Sequence, residues 1–204
     1  MIKKPFLLIF FYFLVTVSGK KDDSCDEKPC DKGWKLFERP SGGWCIKIFY
    51  EDNIKKASAD LKCTSQNATL TSLQNQLESL YIALTVSKKI APGSGSIWIG
   101  VTRREACRNV TRTTTCNSGN SFEWTDRSAT GIDGLLWGAN QPDNAGLNQD
   151  CVVLQAGSTA YVSGMQMATL DDMKCDLDFV GTGRVPRKPV AYACGKKRNS
   201  DSFQ

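Results

Sequence analysis

The sequence predicts a single α+β domain, because two segments with the apolar spacing of helices precede several short segments typical of strands. Nine cysteines add a third observation, since so many in an exported chain predict a domain held together by disulfide bonds. A composition of 41% hydrophobic and 23% charged residues is that of an ordinary globular domain.

The first 19 residues have the features of a secretory signal peptide. Two lysines precede an apolar run over residues 5–17, and the small residues Val17 and Gly19 suit cleavage after Gly19. The alternative is a transmembrane anchor, but the run is short for a bilayer span and no later segment is long enough. We therefore predict a secreted, extracellular protein that is not inserted in a membrane after cleavage, with a charged stem over residues 20–29.

Charge and residue types exclude several classes of function. Removal of the two leader lysines lowers the formal net charge from +5 to +3, which argues against a nucleic-acid partner. The chain has no histidine, so Ser-His-Asp and Cys-His hydrolases are excluded. Structural zinc is also disfavoured, because the cysteines form no CxxC pair.

The first predicted helix runs from Asn53 to Lys62. Ile54, Ala57 and Leu61 recur at helical spacing, and Asn53 or the residue before it can cap the first turn. These apolar side chains are predicted to share one face.

The second predicted helix begins at the capping residue Ser72 and ends before Pro92-Gly93. Its apolar residues recur with a period close to that of a helix, and we predict that they enter the core. They are Leu73, Leu77, Leu80 or Tyr81, and Leu84.

The segments that follow are short and rich in aromatic or β-branched residues, which predicts strands. They are SIWIGV (96–101), SFEW (121–124), CVVL (151–154) and VAYAC (190–194). Long polar stretches separate them, and such loops in a compact domain usually carry function. Two glycosylation sequons, at Asn67 and Asn109, are predicted to lie in loops or at helix ends.

One polar stretch, WGANQPDNAGLNQDCVVL over residues 137–154, carries more side-chain oxygens than a core needs. Other segments share its motif order: CDKGWKLF and WCIKIFY near the start, then WIGV, QPD, DC, LDDMKC and YAC. Taken in this order, the chain from about residue 30 to 195 resembles the C-type lectin-like domain family. The resemblance implies two helices, small antiparallel sheets and a long loop region. The polar, charged residues 196–204 are separately predicted to form a disordered tail.

The resemblance also implies how the cysteines pair. The implied disulfides are Cys30–Cys45, Cys63–Cys194 and Cys151–Cys175, with the spare pair Cys107–Cys116 closing a small polar loop. Cys25 on the stem is then left over. It is either a capped or free thiol, or a bridge to a second copy of the chain in a homodimer.

A calcium ion is the cofactor that the resemblance implies, since calcium takes oxygen ligands. Its implied ligands are Gln141, Asp143, Gln149, Asp171 and Asp172, with a cis peptide bond between Gln141 and Pro142. The family usually has Glu at the position of Gln149 and Asn at that of Asp171, so three carboxylates are kept. A second ion site that includes Asn144 and Asp150 is an alternative.

In this family the calcium ligands also bind the sugar, each hydroxyl using one acid and one amide. Here the pairs are Gln141 with Asp143, and Gln149 with Asp171. In this family QPD goes with galactose-type sugars, so the resemblance favours that type; the alternative is a mannose-like arrangement, because the second pair is also reversed from the usual Glu and Asn. The predicted function is calcium-dependent binding of a glycan.

Two alternatives remain open at this stage. One is a calcium-independent lectin-like domain that binds a protein, since many folds keep their shape and lose a ligand. The other is a glycan-degrading enzyme, for which Glu123 and Asp126 beside Trp124 are the candidate acids. We predict that the chain is not an enzyme, because nothing sets these two acids apart.

Overall fold

The computed structural model describes residues 30–157, 166–177 and 187–199. The predicted signal peptide, the stem with Cys25 and most of the predicted tail lie outside these ranges. The helices are α1 (Lys56–Thr64) and α2 (Gln76–Ile90). The strands are β1 (Lys35–Arg39), β2 (Gly42–Tyr50), β3 (Thr69–Leu70), β4 (Ser94–Arg103), β5 (Phe122–Trp124), β6 (Cys151–Gly157), β7 (Leu170–Met173) and β8 (Pro189–Lys197).

The strands form one connected sheet in the order β1-β2-β8-β4-β6-β7, with β3 paired to β8 and β5 paired to β4. The β4–β8 pair is parallel, and the other pairs are antiparallel. All four strand segments predicted from apolar composition contain strands in the structure: three are a few residues longer than predicted, and SFEW is one residue shorter, because β5 begins at Phe122. The fold class predicted from the sequence is therefore confirmed.

The core lies on both faces of β4, because successive side chains of a strand point to opposite sides. Ile97 and Ile99 pack into the cluster against α2, whereas Trp98 belongs to the cluster against α1. β6 follows the same alternation, with Val152 in the first cluster and Val153 in the second.

The first helix differs from its prediction in start and in phase. It begins at Lys56, and Asn53 has a left-handed backbone (φ 58°) outside it. Ala59 and Cys63 are the buried residues of α1, whereas Leu61 is 73% exposed. Cys63 is held inward by its disulfide bond, so a residue that the apolar pattern ignored sets the helix face.

The second helix is also rotated from its prediction. Its cap is Asn75, whose Oδ1 accepts hydrogen bonds from the backbone N–H of Leu77 and of Glu78, and not Ser72. The prediction that its leucines enter the core is wrong for Leu77, which is 72% exposed. Leu80 and Leu84 are exposed as well, and Leu73 is buried but precedes the helix.

Glu78 explains the rotation of α2. Its carboxylate is 1% exposed and accepts hydrogen bonds from Nε of Arg39 at 2.8 Å and Nη2 at 2.6 Å. A buried carboxylate is tolerated only with such a partner. The face of α2 that carries Glu78 and Ile82 therefore turns inward, and Leu77 turns to solvent.

In the described part of the chain, four disulfide bonds join the pairs Cys30–Cys45, Cys63–Cys194, Cys107–Cys116 and Cys151–Cys175. These are the pairs that the resemblance implies. The chain is ordered slightly beyond the predicted domain end, because β8 continues to Lys197. Lys196 pairs with Asp31, and Arg198 pairs with Glu38.

Candidate functional site

The oxygen-rich segment forms an irregular loop between residue 138 and the start of β6. The peptide bond between Gln141 and Pro142 is cis, as the resemblance implies. Asn144 has a left-handed backbone (φ 47°), a conformation that asparagine tolerates better than most residues. Its side chain is buried, donates to the carbonyl of Val110 and accepts from the backbone N–H of Gln149, which closes the loop on itself.

Asp172 on β7 fastens this loop to the sheet. One oxygen of its carboxylate accepts the backbone N–H of Asp143 at 3.0 Å, and the other accepts that of Asn144 at 2.8 Å. The second oxygen also accepts Nη2 of Arg103 at 2.5 Å. Asp172 is fully buried, so the loop and β7 meet through a charged contact that is shielded from solvent.

Asp171 is also fully buried, and its partner is Arg187. The guanidinium donates from Nε to one carboxylate oxygen at 2.6 Å and from Nη2 to the other at 2.9 Å. This two-point geometry is the strongest that an arginine makes with a carboxylate. The Arg187 side chain is 36% exposed, so Arg187 lies between Asp171 and solvent.

The side chains of the three remaining implied ligands each accept a backbone N–H group of the same loop. Oε1 of Gln149 accepts the backbone N–H of Ala145 at 2.6 Å, and Gln149 is buried. Oε1 of Gln141 accepts the backbone N–H of Asp143 at 3.1 Å. Asp143 itself is exposed, and its carboxylate accepts the backbone N–H of Ala145.

The three acids form one electrostatic neighbourhood. Burial raises the pKa of Asp171 and of Asp172, because it disfavours the charged form, and the nearby charge of Asp143 acts in the same direction. The hydrogen bond with Asp171 raises the pKa of Arg187, whose cation is also favoured by the charges of Asp143 and Asp172. Arg187 therefore stays positively charged among three carboxylates.

The donor set fits a calcium ion in its chemistry, since three carboxylates and two amide oxygens are hard ligands. In the structure, however, the oxygens of the two buried carboxylates accept hydrogen bonds from N–H donors. Both oxygens of Asp171 are bonded to Arg187, and both oxygens of Asp172 accept N–H donors. Among the residues that the structure describes, no group of three or more His, Cys, Asp or Glu side chains is arranged to hold a metal ion.

Sequence reasoning missed the two arginines that contact the acids. Arg103 ends β4 and is 3% exposed, and it also donates to the carbonyl of Gln149. Arg187 lies just before β8 and has a left-handed backbone (φ 68°). Arg103 is 69 residues from Asp172 and Arg187 is 16 residues from Asp171, so neither belongs to a local motif that contains the acids. Asp150, a member of the alternative second ion site, lies 3.5 Å from Arg103 and 3.9 Å from Arg108.

The acids of the alternative enzyme hypothesis have other positions. Asp126 accepts the backbone N–H of Ser72 at 2.7 Å with one oxygen and that of Ser128 at 2.9 Å with the other. Glu123 is an exposed residue of β5. Asp126 therefore links the segment of Ser72 to the loop of Ser128.

Both sequon asparagines are exposed, and both have a left-handed backbone, with φ of 52° at Asn67 and 55° at Asn109. Both sequons therefore lie at the surface of the domain. Within the described ranges, the structure contains no helix long and apolar enough to cross a membrane.

Comparison with known proteins gives one family. The model of C-type lectin domain-containing protein 141/158 matches residues 37–197. The C-type lectin BJcuL of Bothrops jararacussu is 32% identical over 154 residues, which cover 74% of this chain and 80% of that protein.

Solved structures agree on the fold. Human lithostathine superposes with a TM-score of 0.53 at 20% identity, covering 83% of this chain and all of that one. The carbohydrate-recognition domain of the mouse scavenger receptor C-type lectin gives a TM-score of 0.50 at 21% identity, covering 83% and 99%. With a family model spanning most of its length, the chain belongs to the C-type lectin domain family.

Proposed function

We propose that the protein is a secreted lectin that binds a glycan without transforming it. The site is the loop from residue 138 to 150 together with Asp171 and Asp172. The observation that carries this proposal is the contact between two distant stretches, in which backbone amides of Asp143 and Asn144 donate to the Asp172 carboxylate. Membership of the C-type lectin domain family supports the same function.

Calcium is the proposed cofactor, with Gln141, Asp143, Gln149, Asp171 and Asp172 as its ligands. A bound ion would supply coordination positions for two neighbouring sugar hydroxyls, and calcium has enough of them, about six to eight. Asp143 is the ligand most accessible to a sugar, because it is exposed while Asp171 and Asp172 are buried. The QPD sequence favours galactose-type sugars.

The cellular setting of the proposal follows from the sequence. We expect cleavage after Gly19, export, and glycans on the exposed Asn67 and Asn109. Two linked copies of a weak glycan site bind a multivalent glycan with higher overall affinity than one copy does. A disulfide bridge through Cys25 would link two copies of the chain.

A second candidate function is calcium-independent binding of a protein. The observation in its favour is that Asp171 and Asp172 are each paired with an arginine, which neutralises the charge that attracts a cation. In that case the same loop would contact its partner without a metal.

A calcium titration by calorimetry, followed by a glycan array with and without chelator, separates the two candidates. The informative variant is Asp143→Asn, which removes a ligand charge while its amide oxygen can still accept the Ala145 N–H. The matched control is Asp133→Asn, an exposed acid outside the loop. The lectin proposal expects calcium uptake and chelator-sensitive glycan binding, both weakened by Asp143→Asn only. Glycan or protein binding that is unchanged by chelator would refute the calcium-dependent form.

A further inference from the structure

We infer that Arg187 is an internal cation of the glycan site, and that a calcium ion binds only by displacing it from Asp171. The inference rests on the proposed function and concerns the regulation of that site. It assigns a role to a residue that none of the motifs pointed to.

The contact between Arg187 and Asp171 has the geometry of a specific ion pair. Both carboxylate oxygens are engaged, at 2.6 Å and 2.9 Å, and the carboxylate is inaccessible to solvent. An ion that approached from solvent would find both oxygens already bonded to the guanidinium.

Charge makes the exchange feasible. Asp143, Asp171 and Asp172 carry three negative charges, and Arg103 contacts Asp172 from a buried position. Asp150 and Arg108 lie beside Arg103 and cancel each other, so the neighbourhood without Arg187 has a net charge of about −2, which one divalent ion balances. Arg187 supplies one of the two positive charges needed, so the site with Arg187 paired keeps a net charge of about −1 and still attracts calcium.

The position of Arg187 makes its release possible. Its side chain is 36% exposed, whereas that of Arg103 is 4% exposed. Arg187 can therefore leave Asp171 and be solvated without opening the core, while Arg103 cannot. The two arginines have different roles: Arg103 holds the loop on the sheet, and Arg187 competes for the ligand oxygens.

A competing internal cation lowers the apparent affinity for calcium. If the paired form exceeds the open form by roughly 10 to 100 to one, calcium binds about 10- to 100-fold more weakly than to the open form. The pair would thus set a threshold of calcium concentration below which the glycan site is closed.

The test is a calcium titration of the wild type, Arg187→Gln and Arg127→Gln. Arg127 is the matched control, because it is exposed and also has a left-handed backbone (φ 54°). We expect Arg187→Gln to bind calcium about 10- to 100-fold more tightly than the wild type, and Arg127→Gln to bind as the wild type does. Equal or weaker binding by Arg187→Gln, when the wild type binds, overturns the inference and leaves the proposed function intact.

Arg187→Gln leaves Asp171 buried without a cation, so the variant can lose stability. The double variant Asp171→Asn with Arg187→Gln removes both charges and keeps an amide oxygen as a ligand, and we expect it also to bind more tightly than Asp171→Asn alone. Uptake by the variants but not by the wild type supports the inference and refutes calcium dependence of the natural chain. If no variant takes up calcium, both the inference and the calcium site are refuted.

A second readout follows Arg187 in the wild type. The Nε–H signal of a hydrogen-bonded arginine is resolved by nuclear magnetic resonance, and we expect calcium to shift it and increase its exchange with solvent. A signal unchanged at saturating calcium overturns the displacement.

Discussion

Replacing Asp172 with asparagine should destabilise the protein even when no calcium is present. Its carboxylate accepts the backbone N–H groups of Asp143 and Asn144 and a guanidinium N–H of Arg103, and it is fully buried. The asparagine keeps the size of the side chain, but its NH2 group must face N–H donors. The substitution therefore breaks a buried ion pair and leaves a charged arginine with fewer partners.

The expected cost follows from what Arg103 retains. Breaking a buried ion pair costs about 3–5 kcal/mol. Arg103 keeps the carbonyl of Gln149 and lies 3.5 Å from Asp150, so we expect a loss of about 3–4 kcal/mol, in the lower part of that range. For a domain of this size, that corresponds to a fall in Tm of roughly 6–16 °C.

The assay is urea unfolding in the presence of chelator, with the disulfides intact. Asp143→Asn is the control, since Asp143 is exposed, and its free energy of unfolding should change by about 0.5 kcal/mol or less. A change below about 1 kcal/mol for Asp172→Asn would show that the contact between loop and sheet is not a structural ion pair. A large loss also means that variants of Asp172 cannot serve as clean tests of calcium binding.

Three further predictions concern packing and processing. Leu77→Ala should change the free energy of unfolding by about 0.5 kcal/mol or less, since Leu77 is exposed. Leu73→Ala should cost about 2–5 kcal/mol, since Leu73 is buried. Equal costs of the two variants in urea unfolding would contradict the observed rotation of α2. A glycosidase should remove two glycans from the wild type and one from each of the variants Asn67→Gln and Asn109→Gln, which mass spectrometry detects. A wild type whose mass is unchanged by the glycosidase would refute glycosylation. The intact mass of the exported protein should lack residues 1–19, and a mass that includes them would refute cleavage after Gly19.

Much of the fold was predictable because its strands are short, apolar and locally distinct. Runs such as SIWIGV and CVVL can be read without knowledge of their neighbours, since β-branched residues fit a buried sheet wherever it pairs. Three of the cysteine pairs were implied by the resemblance to the C-type lectin-like domain family, and Cys107–Cys116 was the spare pair that remained; the structure has all four.

Helix orientation was not predictable, because long-range partners set it. Leu77 and Leu84 have helical spacing but face solvent, whereas Glu78 is buried through Arg39, which lies 39 residues away. A pattern that counts apolar residues assigns a glutamate to the surface. Only the position of β1 beside α2 reverses that assignment.

In the candidate site, too, local motifs were predictable and distant partners were not. Its oxygen donors were visible as motifs, and the structure brings the loop of Asp143 to Asp172. The two arginines were not visible, because Arg103 comes from the end of β4 and Arg187 from the approach to β8. They change the expected chemistry, since the proposed calcium ion would enter a site in which Asp171 and Asp172 already have cationic partners.

The most direct test of calcium binding and displacement is a crystal structure with millimolar calcium and a galactose-type sugar. We predict an ion at about 2.3–2.6 Å from oxygens of Gln141, Asp143 and Asp171, with the sugar on the ion and Arg187 turned into solvent. A crystal under those conditions with no ion, and with Arg187 still bonded to both oxygens of Asp171, would contradict the proposal.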